Sequence, residues 1–126
     1  MDWKKSFKKF AKQKLPDEAC GLVAIIKEKE TFWPCKNLAK SSDSFFVLDP
    51  DDWADCEDIG EIIGVVHSHP TGPATASEVD KKSCEHIGFP YFIYSVEYDK
   101  WSCTNPINWV EPKLERSVWI KNLERL

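Results

Sequence analysis

Two histidines near the middle of the chain have the type and spacing that metal chemistry requires. His67 and His69 stand two residues apart at the end of the apolar run 62–66, in a chain with only three histidines. If this run is a β-strand, both imidazoles project from one face and Ser68 from the other. Two imidazoles on one face can share a metal ion, although the same spacing is common at the surface end of a strand. The pair therefore needs a third ligand.

Asp80 is the candidate third ligand. The intervening "PTGPA" can turn the chain from a strand into a helix and bring the carboxylate back towards the histidines. An alternative interpretation is a capping box, formed by Thr75 with Glu78 or by Ser77 with Asp80, which satisfies the free amides of a helix start. We expect Thr75 and Glu78 to form that cap, which leaves Ser77 and Asp80 for another task.

A zinc ion held by His67, His69 and Asp80 would have three protein ligands and an open fourth position, as catalytic zinc sites do. Hydrolysis is the natural chemistry, because a bound metal lowers the pKa of water from about 15.7 to about 7. The reaction also needs a carboxylate to carry the proton. The spacing of residues in the sequence does not identify which acidic residue has this role. Glu18 stands out because it opens the "EACGLV" segment after Pro16, at a predicted sheet edge.

The helices expected to surround this site follow from periodicity and from start and stop signals. An aromatic and alanine stripe with lysines between predicts a first helix, which ends before Pro16. Asp49 and Pro50 supply the N-cap and first-turn proline of a second helix, and Gly88 the C-terminal stop of a third. The predicted helices cover residues 2–14, 50–59 and 75–87.

Short apolar runs bounded by turn-like clusters predict the strands. They cover residues 19–26, 31–35, 45–48 and 61–67, and two further strands around a tight turn within 91–104. The order of elements indicates an α/β sandwich rather than a regular alternation of strands and helices. After Pro112 the pattern is ambiguous, because Leu114, Val118 and Leu123 fit a helix whereas "SVWI" also fits a strand.

Composition excludes several classes of protein. At 126 residues the chain is long enough for one hydrophobic core, and we expect a single domain over residues 1–126. The net charge of -4 gives nucleic acid no general electrostatic reason to bind. The lysines of the first helix are therefore interpreted as a solvated face.

The five cysteines and the lack of long apolar runs indicate the compartment. The cysteines are odd in number and contain no C-x-x-C, so neither a disulfide framework nor a four-cysteine zinc site is expected. No stretch of about 18 apolar residues occurs, so we expect neither a signal peptide nor a membrane span. A cytoplasmic protein with reduced thiols follows.

The motif positions together resemble a known family. "PDEACG" at 16–21, "HSHP" at 67–70, Ser77 and Asp80 match the pattern of the JAMM (MPN-plus) zinc metalloproteases. The resemblance implies that His67, His69 and Asp80 are the zinc ligands and that Glu18 is the general acid/base. It also implies that Ser77 helps to stabilise the oxyanion and that Ser68 supports the site without binding metal.

The resemblance extends beyond the motif over most of residues 14–106. The segments "PCKNLA", "FVLDPDDW" and "FPYFIYSVEYDKW" are similar to the JAMM domain of the phage tail-assembly protein K family. The implied fold is α/β, a JAMM/MPN-like (cytidine deaminase-like) mixed β-sheet sandwiched by helices.

Two functions are expected from this resemblance. The first is a zinc metalloprotease or isopeptidase acting on a protein or peptide, either in phage tail assembly or on ubiquitin-like protein tails. The alternative is a noncatalytic MPN-type assembly module, against which the intact ligand set argues. Neither a nucleic-acid partner nor a membrane partner is expected.

Overall fold

The protein is built around one five-stranded sheet with helices on both faces. The structure is a computed structural model and describes residues 2–110; the two predictions for the tail after Pro112 lie outside these residues. The elements are, in chain order, α1 (Trp3–Lys14), β1 (Cys20–Ile26), β2 (Lys29–Cys35), α2 (Pro50–Ile59), β3 (Glu61–His69), α3 (Glu78–Ile87), β4 (Tyr91–Ser95) and β5 (Lys100–Thr104).

The strands lie in the order β2-β1-β3-β4-β5, and the sheet is mixed. Only β3 and β4 run parallel, and α3 connects them; every other neighbouring pair is antiparallel. Cys20 at the start of β1 pairs with His67 near the end of β3. The amino end of β1 and the carboxyl end of β3 therefore meet at one edge of the sheet.

Helix α1 covers one face of the sheet through its aromatic stripe. Trp3, Phe7 and Ala11 are buried at helical spacing, and the Asp2 side chain caps the helix by accepting from the amide of Lys4. The Phe7 ring is completely buried and contacts the rings of Phe32, Tyr94 and Trp101 edge-on or tilted. Between these aromatics Lys5 and Lys9 are exposed, as predicted, whereas Lys4 and Lys8 are half-buried, with their ammonium groups over the rings of Trp101 and Tyr94.

Helices α2 and α3 cover the opposite face. Cys56 of α2 and Cys84 of α3 are buried there against Leu22, Val65 and Tyr91. Cys20 belongs to this same core cluster. The mixed sheet sandwiched by helices is thus confirmed.

One predicted strand and the predicted start of one helix are wrong, each for an identifiable reason. Residues 45–48 form no strand, because the amide of Val47 donates to the side chain of Asn37 rather than to a backbone, and only an isolated bridge joins Asn37 to Leu48. The third helix begins at Glu78 rather than residue 75, because Ser77 is its N-cap. The other predicted elements lie within two residues of their observed bounds.

No helix in the described part of the chain combines the length and apolar character needed to cross a bilayer.

Candidate metal centre

Antiparallel pairing of β1 with β3 brings distant parts of the chain to one place. Because Cys20 lies opposite His67, the residues just before β1 lie beside the last residues of β3. The amide of Ser68 donates to the carbonyl of Ala19, which continues this pairing beyond β1. Glu18 is in this way placed next to the two histidines, about fifty residues away in sequence.

His67, His69 and Asp80 converge at this edge of the sheet. Their candidate ligand atoms all lie within 4.8 Å of one another. The Asp80 carboxylate lies between the two rings, with Oδ1 3.1 Å from His67 Nε2 and Oδ2 3.1 Å from His69 Nε2. Two atoms bound to the same tetrahedral zinc lie roughly 3.3 Å apart, so this spacing fits a shared ion.

The second histidine is oriented from its far side. His69 Nδ1 lies 2.9 Å from the carbonyl oxygen of Pro73, which can only accept. In the neutral ring, Nδ1 must then carry the proton, and the lone pair of Nε2 faces Asp80. Two acceptors that face each other at 3.1 Å are stabilised by a cation between them or by a second proton on the ring. The contact with Asp80 accordingly raises the pKa of His69.

The first histidine is completely buried. Neither ring nitrogen of His67 has a hydrogen-bond partner, because the 3.1 Å approach of Asp80 to Nε2 lies outside hydrogen-bond geometry. Burial lowers the pKa of His67 and so favours the neutral ring that binds metals. The Phe46 ring stacks on this imidazole with the centroids 4.3 Å apart. A buried nitrogen without a partner beside a carboxylate is the arrangement that a metal ion satisfies.

Asp80 combines two tasks that were expected to be separate. It is the N3 residue of α3, where its carboxylate accepts from the amide of Ser77 at 3.0 Å while the Ser77 hydroxyl accepts from the amide of Asp80 at 3.0 Å. The expectation that Thr75 and Glu78 form this cap is therefore wrong. Burial acts to raise the pKa of Asp80, but the contacts with both histidines and the Ser77 amide outweigh it, so the pKa lies well below its usual range.

Glu18 lies at the rim of the site with its side chain largely buried. Only 8% of its surface is exposed, and this burial raises its pKa to about 7, with His69 acting in the opposite direction. From the sequence, Glu18 was expected to open this strand. In the structure it precedes β1 by two positions. A carboxyl group that titrates near neutral pH is suited to both accept and release a proton.

Ser77 and Glu18 line one cleft together with His69 and Asp80, with a volume of about 210 Å³. The Ser77 hydroxyl oxygen accepts from the helix, and its proton remains able to donate into the cleft. All five residues named from the sequence thus lie at the same edge of the sheet.

Ser68 points to the other side of β3 and forms no hydrogen bond with any of the candidate ligands. Its hydroxyl accepts from the amide of Ala19 at 2.8 Å, so it holds the residue that follows Glu18. It supports the site as expected, through the backbone of the neighbouring strand.

Sequence reasoning missed three residues that shape the site: Phe46, Pro73 and Asn37. Phe46 covers His67, and the carbonyl of Pro73 orients His69. Asn37 donates from Nδ2 to the carbonyls of Glu18 and Phe45. An asparagine two residues after a predicted strand could have been noticed as a loop-stabilising residue, whereas the other two contacts depend on tertiary folding.

The residues present fit a zinc ion. Two imidazoles and one carboxylate form a known type of ligand set for catalytic zinc. The partnerless Nε2 of His67 beside Asp80 and the hydrogen bond that His69 Nδ1 donates to Pro73 fit a ring pair that offers both Nε2 atoms to a cation. Among residues 2–110 this is the one group of three such side chains close enough to share an ion.

Comparison with known proteins identifies the domain type. The family model for prokaryotic homologs of the JAB domain matches residues 2–105. Over 80 residues, 64% of this chain, the sequence is 40% identical to the tail tip assembly protein K of Escherichia phage N15. That region is 33% of the phage protein, so the match spans a third of the relative's length.

Two solved structures have the same fold. The solution structure of protein DSY2949 from Desulfitobacterium hafniense gives a TM-score of 0.63 at 29% identity, over 80% of this chain and 76% of that one. The crystal structure of AF2198, a JAB1/MPN domain protein from Archaeoglobus fulgidus, gives 0.54 at 26% identity, over 82% and 83%. The resemblance seen in the motif positions is confirmed at the level of the family.

Proposed function

The chain belongs to the prokaryotic homologs of the JAB domain, and on that premise we propose that it is a zinc-dependent metallopeptidase or isopeptidase. The observation that carries the proposal is the convergence of His67, His69 and Asp80 beside a cleft that also contains Glu18 and Ser77. JAB-like domains include metalloisopeptidases, which supports hydrolysis of a peptide or isopeptide bond.

The three ligands would hold the zinc. His67 and Asp80 are buried and His69 is half-buried, so the ion would be bound at the inner wall of the cleft with one side open. When bound, zinc supplies a Lewis acid and lowers the pKa of water to about 7.

Glu18 is the residue suited to move the proton. Its carboxylate accepts a proton from water as the water oxygen attacks the carbonyl carbon, and it delivers that proton to the leaving nitrogen as the C–N bond breaks. The products are a carboxylate and an amine. In the metal-free protein, burial raises the pKa of Glu18 to about 7.

Ser77 is suited to stabilise developing charge on the substrate oxygen. Its hydroxyl oxygen is occupied by the amide of Asp80, which orients the group, while the hydroxyl proton can donate to the carbonyl oxygen. Because Ser77 lies at the N-terminus of α3, the helix dipole also favours negative charge there.

The substrate proposed is an exposed segment of another protein. The name of the phage N15 relative, tail tip assembly protein K, favours a phage tail component, and ubiquitin-like tails are the other class implied by the family. A cleft of about 210 Å³ is too small for a folded domain, so the segment must enter in an extended form.

The test combines metal analysis with cleavage. Wild-type protein should bind about one zinc per chain and cleave candidate tail or ubiquitin-like proteins, with loss of cleavage on chelation. Glu18→Ala should retain zinc and lose cleavage, and His67→Ala should lose both; His86→Ala, at the remaining histidine, serves as the matched control. Wild-type protein that stays empty in zinc-containing buffer would overturn the proposal. If the wild-type protein binds zinc but cleaves none of the candidate substrate proteins, the noncatalytic assembly module would be favoured.

A further inference from the structure

The side chain of Asn37 connects the two sides of the cleft. It lies two residues beyond β2, and its Nδ2 donates to the carbonyl of Glu18 at 3.0 Å and to the carbonyl of Phe45 at 2.9 Å. Its Oδ1 accepts from the amides of Ala39 at 3.0 Å and Val47 at 3.1 Å. Nδ2 also donates to the carbonyl of Ser42 at 3.5 Å, so this single half-buried amide makes five hydrogen bonds to the backbone.

The partners determine the orientation of this amide. Nδ2 faces three carbonyl oxygens, which only accept, and Oδ1 faces two backbone amides, which only donate. No other side chain of this size satisfies both sets, since aspartate lacks the donors and leucine lacks both. Asn37 is thus chemically specified rather than a generic loop residue.

On one side these bonds hold the backbone of Glu18. Its carbonyl accepts from Asn37, and its own amide donates to the carbonyl of Ser42 at 2.6 Å. The next residue, Ala19, is held by Ser68. Because the backbone direction determines where a side chain leaves the chain, these contacts aim the Glu18 carboxylate into the cleft.

On the other side the bonds bracket Phe46. Asn37 binds the carbonyl of Phe45 and the amide of Val47, the two residues that flank it. The Phe46 ring lies nearly parallel to the His67 ring, with an interplanar angle of 23°. These two bonds fix the backbone immediately before and after Phe46, and with it the direction in which the ring leaves the chain.

We propose that Asn37 is a positioning residue that sets the place of Glu18 and of Phe46 against His67 at the same time. The catalytic part of this inference rests on the proposed function, whereas the placement of Phe46 against His67 does not. Asn37 contacts none of the three candidate metal ligands, so its replacement should leave the capacity to bind zinc intact.

The closing experiment uses Asn37→Asp, which keeps the shape and the acceptor but removes both donors. Asn105→Asp is the matched control, because the exposed Asn105 acts only as an acceptor from Cys103 in its one described hydrogen bond. The chain has three histidines, so the ring Cε1–Hε1 spectrum of the metal-free protein contains three signals, which histidine substitutions assign.

The His67 signal carries the ring-current shift of the stacked Phe46. We expect it to move in Asn37→Asp and to stay in place in Asn105→Asp. An unmoved His67 signal in a folded Asn37→Asp protein would overturn the proposal. If Asn37→Asp does not fold, the same measurement is made on Asn37→Ser, which also removes the bonds but adds no charge. The His67 signal should move in that variant too.

Kinetics test the other side of the cleft. With zinc content unchanged, kcat in Asn37→Asp should fall roughly ten- to a hundredfold with little change in KM, because a displaced carboxylate affects the chemical step more than binding. A parallel loss of zinc, or an unchanged kcat, would contradict the positioning role. If wild-type protein cleaves nothing, the proposed function fails while the His67 signal still decides the placement of Phe46.

Discussion

His69 faces Asp80 with its Nε2 atom 3.1 Å from Oδ2, while Nδ1 of the same ring lies 2.9 Å from the carbonyl oxygen of Pro73. The far-side bond selects the tautomer whose Nε2 lone pair points at the carboxylate. The ligand atoms are therefore arranged for a cation by the fold itself.

Zinc should stabilise the folded protein through this arrangement. At a free zinc concentration 100 times the Kd, binding adds about 2.7 kcal/mol to the free energy of unfolding. Asp80→Asn keeps the shape of the side chain but removes its charge, so most of this gain should disappear. Urea unfolding with zinc and with chelator measures the difference. His86→Ala should keep the full gain, and an equal gain in Asp80→Asn would show that Asp80 is not a ligand.

The raised pKa of Glu18 predicts how the stability of the metal-free protein depends on pH. Burial moves this pKa from 4.5 to about 7, so between these values the folded state keeps a proton that the unfolded state has lost. The contribution of Glu18 to stability is complete below pH 4.5 and is lost as the pH rises through 7.

Glu18→Gln removes this dependence. The free energy of unfolding of the variant should therefore exceed that of wild type at pH 8 by up to about 3 kcal/mol, and the difference should vanish near pH 4.5. Urea unfolding in the presence of chelator at both pH values measures it. The exposed Glu57→Gln is the control and should show no such trend. A constant difference across pH would mean that Glu18 does not titrate near neutral pH.

The two tasks of Ser77 can be separated by two substitutions. Ser77→Ala should lower the free energy of unfolding by about 1 kcal/mol and Ser77→Gly by only a few tenths, because glycine is tolerated as an N-cap. Both variants lose the hydroxyl proton, so both should show a similar fall in kcat, of roughly a hundredfold. Urea unfolding and steady-state kinetics on the same samples check this. Thr75→Ala should change neither quantity, since Ser77 provides the cap. If kcat falls much more in Ser77→Ala than in Ser77→Gly, in parallel with the free energy of unfolding, Ser77 has no role in catalysis.

The packing of α1 against the sheet depends on Phe7. Its ring is completely buried among other aromatic rings, so Phe7→Ala should lower the free energy of unfolding by about 3–5 kcal/mol. Tyr98→Ala, at a side chain that is 56% exposed, should cost much less. Urea unfolding of both variants measures the contrast, and equal losses would contradict this assignment of the core.

Local signals in the sequence were enough for most of the secondary structure. Asp49 and Pro50 begin α2, and Gly88, with a φ of 83°, ends α3, because capping depends on residues that are neighbours in sequence. The strand predicted at 45–48 failed for the opposite reason. Its backbone is held by the side chain of Asn37, ten residues from Val47, and no local pattern reveals that contact.

The cap of α3 shows a different limit. Both Thr75 with Glu78 and Ser77 with Asp80 have the spacing of a capping box, and the sequence favoured the first pair. The structure selects the second pair, since the Asp80 carboxylate lies against both histidines where the helix begins at Glu78. The same carboxylate thus caps the helix and faces the metal site.

The sequence by itself predicted which residues form the candidate metal site, because an alternating strand places His67 and His69 on one face and a turn can return Asp80 to them. Spacing did not place Glu18 at this site, and Glu18 stood out only by opening the "EACGLV" segment and by resemblance to a family. Only the tertiary structure decided that, since the register of β1 against β3 puts Cys20 opposite His67 and so carries Glu18 to the site. Strand pairing joins residues that are far apart in the chain, and its register depends on the packing of the whole sheet.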